Sequence, residues 1–270
     1  MTTAEIARAF LLPESTLAQR IVRAKRKIVE AGIPYRVPRP DEMVERLEQV
    51  LAVLYLLFNE GYLASSDVPE RRELAEDAEW LCALLSRLMP REPEVLGLLT
   101  LMRLHLARAG ARFDVHGGLV LLEHQDRARW HRSEIAGAVR VLERAASFKR
   151  PGPYQLQAAI AAVHCEAPTF AATDWHQIVR LYERLYELAP SPVVRLNGAV
   201  ALSHVAGPGV GLAELDAVAN QLDGYHLLHA ARAVLLRQLG REDEARAADA
   251  RALELTSNPA EQDVIRARLS

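Results

Sequence analysis

The sequence predicts an all-α protein. Half of its 270 residues are hydrophobic but only 6% are aromatic, and the abundant residues include Ala, Leu, Arg and Glu, which favour helices. Apolar residues recur at steps of three and four along most of the chain, which is the spacing of one helix face. Proline and glycine fall between these segments, where helices are expected to end.

Residues 6–28 predict two helices joined by a tight turn. The first helix stops at Leu12, because Pro13 disfavours helical geometry in the residue before it. The second is expected to begin at Pro13, Glu14 or Ser15, since proline and acidic residues suit a first helical turn. The apolar face predicted for the first helix consists of Ile6, Ala7, Phe10 and Leu11. The apolar stripe predicted for the second consists of Leu17, Ile21, Val22 and Ile28.

The rest of the second helix is polar and basic. This layout is typical of a helix-turn-helix, whose second helix lies in the major groove of DNA. We therefore predict a DNA-binding surface made of Ser15, Thr16, Gln19, Arg20, Arg23, Lys25 and Lys27. Arg20 and Arg23 are assigned to base edges or phosphates, and Lys25 with Lys27 to phosphates. The alternative interpretation is a basic helix face that is simply solvated.

Charge is distributed unevenly along the chain. Residues 1–40 hold eight basic and three acidic residues, a net charge of +5, so the net charge of −2 for the chain leaves −7 for the remainder. A basic end suits a polyanionic partner, whereas the acidic remainder is a poor surface for DNA. The acidic remainder is also suited to an intramolecular contact, in which it folds back onto the basic end.

A linker is predicted between residues 32 and 40, where three prolines fall within seven residues. Gly32 suits the end of a helix, and the prolines favour extended chain. We place a domain boundary there, with a partial helix-turn-helix in residues 1–36 and a helical extension in residues 37–270.

The extension is predicted to be helical almost throughout. Helices are expected from Asp41 or Glu42 to Tyr62, and at about residues 70–88 and 92–109. The run Leu119–Leu122 fits either a strand or a helical turn, and the sequence does not decide between them. Further helix-length segments are 131–148, 152–165, 174–188, 192–205, 211–222, 224–239, 241–255 and 259–268.

Residues 235–255 resemble the second half of a tetratricopeptide repeat. The matching positions are Gly240, Ala245, Ala252 and Leu253. Asp249 stands where the repeat usually has an aromatic residue. Gly207 and Gly240 lie 33 residues apart, and a period near 34 is the signature of this solenoid. The resemblance implies a tetratricopeptide-like superhelical array of degenerate repeats over about residues 131–270, of the kind that binds a peptide or a domain.

The run STLAQRIVRAK, residues 15–25, resembles the last helix of region four in the extracytoplasmic-function sigma factors of RNA polymerase. In that family a Thr-apolar-x-x-Arg-apolar-x-Arg-Ala-Arg/Lys string reads the −35 element of the promoter. The matching residues are Thr16, Leu17, Arg20, Ile21, Arg23, Ala24 and Lys25. Ala18 stands where family members often have a lysine, which removes one phosphate contact.

Further strings, in the same order, resemble the subgroup of these sigma factors that carries a long tetratricopeptide-like tail. They are LYLLFNEGY (54–62), EHQDRARW (123–130), RPGPYQLQAAIAAVH (150–164), DWHQIVRLYERLYELAPSPVVRLNGAVA (174–201) and LDGYHLLHAARAVLLRQLGR (222–241). The resemblance implies that promoter DNA and RNA polymerase core are partners. It also implies that the tail modulates the sigma factor in place of a separate anti-sigma protein.

The chain departs from complete members of that family. It contains no region two, which melts promoter DNA, and only the last two helices of region four, so either it is a truncated product or its true start lies upstream. We therefore expect that this polypeptide alone does not initiate transcription. Ile6, Phe10 and Leu17 should pack on the extension or on a second copy, because exposing such side chains costs about 1.5–3 kcal/mol each. Homodimerisation through this end is expected.

No motif predicts an enzyme or a cofactor site. His226 and His229 lie three residues apart, but no third ligand recurs at a metal-site spacing, so the nine histidines are interpreted as structural. Cys82 and Cys165 are far apart and predict neither a disulfide nor a zinc site. Cys165 is interpreted as an inert buried thiol.

Two further sets of residues have an expected structural role. Asp126, Arg127, Arg129 and Trp130 are expected to brace the fold by ion pairing. Asn59, Glu60 and Tyr62 are interpreted as a helix end, with the rim of a groove as the alternative. Because the sequence has no run of eighteen apolar residues and no apolar signal core, we expect a soluble cytoplasmic protein.

Overall fold

A computed structural model describes residues 2–31, 39–62 and 69–270 of the chain, and within these ranges it confirms an all-α fold. The predicted domain boundary at residues 36–37, and most of the predicted linker, lie outside the described residues. No helix in the described ranges combines the length and apolarity that crossing a membrane requires.

The helices begin and end close to the predicted positions. They are α1 (Thr3–Ala9), α2 (Glu14–Glu30), α3 (Pro40–Tyr62), α4 (Pro69–Leu88), α5 (Pro93–Leu106), α6 (Arg132–Ser147), α7 (Pro153–Glu166), α8 (Trp175–Leu188), α9 (Pro192–Ala206), α10 (Pro208–Asp216), α11 (Ala219–Leu222), α12 (His226–Gln238), α13 (Glu242–Leu255) and α14 (Pro259–Leu269). Short 3-10 helices lie at Ala109–Ala111, Leu122–His124 and Arg127–Arg129.

The described residues up to Cys82 form one compact unit, and those from Ala83 onward form a second. In the first unit α1 packs on α2 and on α3. Leu51, Leu54 and Phe58 are buried at the steps of three and four that mark one helix face. This unit therefore supplies the short helices of the predicted DNA-binding segment with a small core.

In the second unit, most helices pack against a neighbour in sequence, and α7 packs chiefly on α5, two helices back. α5 contacts α6 and α7, α8 contacts α9, α9 contacts α10, and α12 contacts α13, on which α14 packs. Helices α5 and α7 lie so close that a Cβ at Gly97 would fall 2.6 Å from the backbone nitrogen of Gln155. The sequential pairing agrees with the helical array predicted for this part of the chain.

Two details of the array differ from the predictions. The helix predicted over residues 211–222 is two helices, α10 and α11, because the Val218 amide donates to Leu215, three residues back rather than four, and ends the regular ladder. The run Leu119–Leu122 is neither a strand nor a full helical turn. Leu119 forms one isolated bridge with Phe113, and a 3-10 turn begins only at Leu122.

The connection between α5 and α6 is a long loop closed at its neck. The His131 amide donates to the Ala107 carbonyl at 3.0 Å, so both ends of the loop meet. Near its tip the carboxylate of Asp114 accepts hydrogen bonds from the amides of His116 and Gly118, both at 2.8 Å. Hydrogen bonds from Gly118 and then His116 lower the pKa of Asp114.

Asp249 is fully buried where a tetratricopeptide repeat usually has an aromatic residue. Its carboxylate pairs with Arg237 of α12 at 3.0 Å and with Arg268 of α14 at 2.9 Å. An ionic contact between three helices therefore replaces the apolar contact that an aromatic side chain would make. A buried carboxylate is tolerated here because two guanidinium groups compensate its charge.

Candidate nucleic-acid interface

Helices α1 and α2 are joined by a tight turn that ends in Pro13. The Thr2 hydroxyl and the Glu5 carboxylate form a capping box at the start of α1. At its end, Leu11 has a positive φ of 51°. The Leu11 amide donates to Arg8 at 3.1 Å and the Leu12 amide to Ala7 at 2.9 Å, which together make a Schellman motif. A short turn of this kind is what a helix-turn-helix requires.

The predicted DNA-binding side chains lie on the surface of α2. Thr16 is half-buried, and the exposed ones are Ser15, Gln19, Arg20, Arg23, Lys25 and Lys27. An α-helix turns by about 100° per residue, so the members of this set other than Lys25 lie within an arc of about 140°. They can therefore face one partner together.

Lys25 lies elsewhere on the helix. It follows Arg23 by two residues, which places it about 160° around α2, among the apolar side chains. Arg26 is exposed and falls beside Gln19 and Arg23 on the polar face. The sequence prediction omitted Arg26, although its position three residues after Arg23 would have identified it.

The cations of this face are not neutralised within the described part of the chain. Arg20, Arg23, Arg26 and Lys27 form no ion pair with a described carboxylate, and Arg23 Nε donates only to the Gln19 carbonyl at 3.4 Å. Arg8 of α1 is different, because its guanidinium lies 3.6 Å from the Glu60 carboxylate of α3. This pair connects the helix-turn-helix to α3, while the basic face of α2 stays accessible to an anionic partner.

The apolar stripe predicted on α2 is only partly buried. Leu17 is 7% exposed and Ile21 is half-buried, but Val22 and Ile28 are exposed, as are Phe10, Leu11 and Val29. Leu17 is buried within the chain, whereas Phe10 does not pack on the extension, so the contact of Phe10 with a second copy stays a prediction. α1 has 7 residues and α2 has 17, so α1 cannot cover the C-terminal half of its partner.

The other candidate residues have structural contacts. Asn59, Glu60 and Tyr62 close α3, and the Tyr62 ring stacks on Phe58 at 5.5 Å. His226 lies 3.0 Å from Glu261, and His229 donates to the Asp223 carbonyl at 2.8 Å. No group of three or more His, Cys, Asp or Glu side chains in the described ranges is arranged to hold a metal ion.

Cys82 and Cys165 are buried and are not joined in a disulfide, and burial raises the pKa of Cys165, as expected for an inert thiol. The prediction that Arg127 braces the fold by ion pairing is wrong. Arg127 braces the fold through the carbonyls of His164 and Ala167 and the face of Trp130, and it pairs with no described carboxylate. The neighbouring Asp126 caps a 3-10 turn through the Ala128 amide.

Two comparisons with known proteins bear on this chain. Residues 46–146 match a family described as being of unknown function (DUF6596), a range that runs from α3 to α6 and excludes α2. The chain is 46% identical over 271 residues to Uncharacterized protein R00370 of Rhizobium meliloti (strain 1021). That alignment covers 100% of this chain but 64% of the relative, so the relative is longer by about a third of its own length. No solved structure matches the chain.

Proposed function

We propose that this chain is the C-terminal portion of an extracytoplasmic-function sigma factor, and that α2 contacts the −35 element of promoter DNA. The observation that carries the proposal is the exposed face of α2, on which cations lie without carboxylate partners among the described residues. Cations on an accessible helix bind DNA by releasing the counterions condensed on phosphates. The resemblance of residues 15–25 to a promoter-reading helix supports the same assignment.

The roles within this face follow from position along α2. Ser15, Thr16 and Gln19 belong to its N-terminal half, which in a helix-turn-helix approaches base edges. Arg20 and Arg23 follow one turn later and suit guanine edges or phosphates. Lys27, near the C-terminal end, suits a phosphate, as does Lys25 if the opposite strand reaches its side of the helix.

The helical extension is proposed to regulate this contact. Residues 41–270, which make up nearly all of the extension, carry a net charge of −7, which makes it a competitor of DNA for the basic end. RNA polymerase core is the proposed protein partner, as in the resembling family. The exposed apolar side chains of α2 and of the end of α1 are proposed to be covered by a second copy, because Val29 of α2 is 81% exposed and Phe10, which follows α1, is 55% exposed. Promoter melting is assigned to protein regions that these residues do not include.

The experiment is a fluorescence-anisotropy titration of the full chain against a labelled DNA duplex of about 30 bp. The variant Arg20→Ala/Arg23→Ala should weaken binding at least about tenfold, since charge-assisted contacts to phosphates or bases contribute about 1–3 kcal/mol each. The matched control is Arg180→Ala/Arg246→Ala, which removes two exposed arginines of α8 and α13. Equal affinities of the two variants would contradict the proposal.

A second candidate function is a protein-interaction module in which the helix-turn-helix is a remnant. The observation that favours it is a cleft of about 430 Å³ in the second unit, lined by α11, α12 and α13. Its polar lining includes Asn220, Asp223, His229, Arg232, Glu244 and Arg251. A protein partner bound there should be insensitive to Arg20→Ala/Arg23→Ala and should respond to Arg232→Ala, which separates this function from DNA binding.

A further inference from the structure

Three arginines surround one buried tryptophan at the neck of the loop between α5 and α6. The guanidinium carbons of Arg108, Arg127 and Arg132 lie 5.7, 4.4 and 5.8 Å from the centre of the Trp130 ring. Arg108 and Arg127 are each 8% exposed and Trp130 is 3% exposed, whereas Arg132 is exposed at the edge of the cluster, so the buried charge is that of Arg108 and Arg127. The aromatic face stabilises nearby cations, but it does not neutralise them.

The cluster also holds the C-terminal end of α7. Arg127 Nη1 donates to the carbonyls of His164 at 2.5 Å and Ala167 at 2.8 Å, and Arg132 Nη1 donates to that of Cys165 at 3.0 Å. Carbonyl groups at a helix C-terminus carry a partial negative charge. They compensate part of the positive charge, although less than carboxylates would.

No described group supplies the missing negative charge. None of the three arginines forms an ion pair with a described carboxylate, although Glu166 lies on the exposed surface nearby. Burial raises the pKa of Cys165, so the thiol is neutral. Burial and then Arg108 lower the pKa of His164 to about 4, and the same two causes lower that of His105, so both rings are neutral at neutral pH.

Polar atoms without hydrogen-bond partners collect in the same place. They are Arg108 Nε, Arg127 Nη2, Trp130 Nε1 and His164 Nδ1, all of them buried. The first three are N–H donors that face no acceptor. Leaving a buried donor unsatisfied costs about 1–3 kcal/mol, and more for a charged group, so such atoms normally have a partner. A negatively charged hydrogen-bond acceptor would satisfy the unpaired donors and compensate the positive charge at the same time.

We propose that this arginine cluster, defined as Arg108, Arg127, Trp130 and Arg132, binds a small oxyanion such as inorganic phosphate or a carboxylate. The oxygens of such an ion accept hydrogen bonds from several donors at once, and guanidinium groups are well suited to them. A water molecule would satisfy the donors but would leave the positive charge unchanged. The bound anion would join the end of α5, the neck of the loop and the end of α7.

The test uses the indole N–H of Trp130 as a reporter in 1H–15N spectra of the full chain. The sequence has three tryptophans, assigned through Trp80→Phe and Trp175→Phe, and the exposed Trp80 of α4 provides the internal control. Trp175 is not used as a control, because its ring lies 5.2 Å from that of His164. Parallel titrations use sodium phosphate, sodium acetate and sodium chloride at equal ionic strength. We expect the Trp130 signal to shift saturably with phosphate, acetate or both, while the signal of Trp80 stays in place.

The variant Arg108→Met keeps the length of the side chain and removes its charge. It should weaken the affinity of the responding anion at least about tenfold, whereas Arg129→Met, which changes an exposed arginine of the same loop, should leave it unchanged. If Arg108→Met does not fold, the titration of the native chain still decides. Absence of a saturable Trp130 shift with either oxyanion, or the same shift with chloride, would overturn the proposal.

Discussion

The helix pairs α1–α2 and α12–α13 share one kind of helix ending, but their charged side chains differ in whether they have ion-pair partners. α1 is followed by Leu11 and α12 by Gly240, both with positive φ, and both helix ends form the two hydrogen bonds of a Schellman motif. Along α12–α13 and its connection, Arg232, Arg237, Arg241 and Arg251 lie within ion-pair distance of carboxylates. Along α2 the cations of the polar face have no such partners among the described residues.

The apolar side chains of the two pairs differ in the same direction. In α12–α13, Leu228, Leu236 and Ala245 belong to one buried cluster. In α2, the apolar side is covered near Leu17 and exposed from Val22 onward. The charged and apolar side chains of α12–α13 therefore find their partners within the chain. In α1–α2, by contrast, charged side chains are exposed on one side and apolar side chains on another. Exposed charge and exposed apolar surface together are what a segment that binds a partner requires.

The largest effect is expected from breaking the ionic contact that replaces the aromatic residue in α13. Asp249→Ala would leave Arg237 and Arg268 without their buried counter-charge and should lower the free energy of unfolding by about 3–5 kcal/mol. The measurement is chemical denaturation followed by circular dichroism. The control is Asp263→Ala, which removes an exposed pair with Arg266 and should cost at most about 1 kcal/mol. Equal losses would mean that Asp249 is not energetically special.

A pH effect on stability is expected from His164 of the second unit. The pKa of His164 is about 4 in the folded chain, chiefly because of burial, whereas an unfolded histidine titrates near 6.5. As the pH falls from about 6.5 towards 4, the unfolded chain takes up a proton that the folded chain does not, so stability should decrease. His164→Gln should flatten this part of the curve of unfolding free energy against pH. An unchanged slope would show that His164 does not stay neutral.

The Schellman motif that ends both α1 and α12 can be tested at Gly240, which follows α12. Gly240 has φ +72°, a conformation that alanine adopts only with strain, so Gly240→Ala should destabilise the chain by about 1–2 kcal/mol. Gly224 has open space around it and no positive φ, so Gly224→Ala should be neutral or stabilising by up to about 1 kcal/mol. Thermal unfolding midpoints of the two variants should therefore move in opposite directions, or at least differ clearly.

The smallest effect on stability is expected at the exposed apolar side of α2. Val22→Asp/Val29→Asp should change the free energy of unfolding of the single chain by no more than about 0.5 kcal/mol per site, because both side chains are exposed. The same variant should reduce self-association, which sedimentation velocity measures directly. An identical mass distribution for the native chain and the variant would exclude a second copy as the cover of this surface.

The sequence predicted the elements of the fold well, and it did so for local reasons. The steps of three and four in residues 51–58, and the proline that precedes α2, act within one or two helical turns. The glycines 33 residues apart, Gly207 and Gly240, both have positive φ and follow helix ends, as a repeat requires. In each case the physical cause lies within a few residues of its effect.

What the sequence could not predict depends on contacts distant along the chain. Nothing local shows that Asp249 meets Arg268, or that Arg127 binds carbonyls 37 and 40 residues away rather than a carboxylate. The positive φ of Leu11 could not be predicted either, because leucine rarely adopts this conformation and gives no local signal for it. For the candidate interface, helical periodicity sufficed to find the polar face and to correct the placement of Lys25, but not to show which apolar side chains stay uncovered.

The most direct test of the account is the salt dependence of DNA binding by the full chain. For each phosphate contact, the slope of log K against log salt concentration changes by about 0.9. We expect a steep negative slope for the native chain, smaller by about 2 for Arg20→Ala/Arg23→Ala, and unchanged for Arg180→Ala/Arg246→Ala. A slope near zero for the native chain, or identical slopes for all three proteins, would contradict the assignment of α2 as a DNA-binding helix.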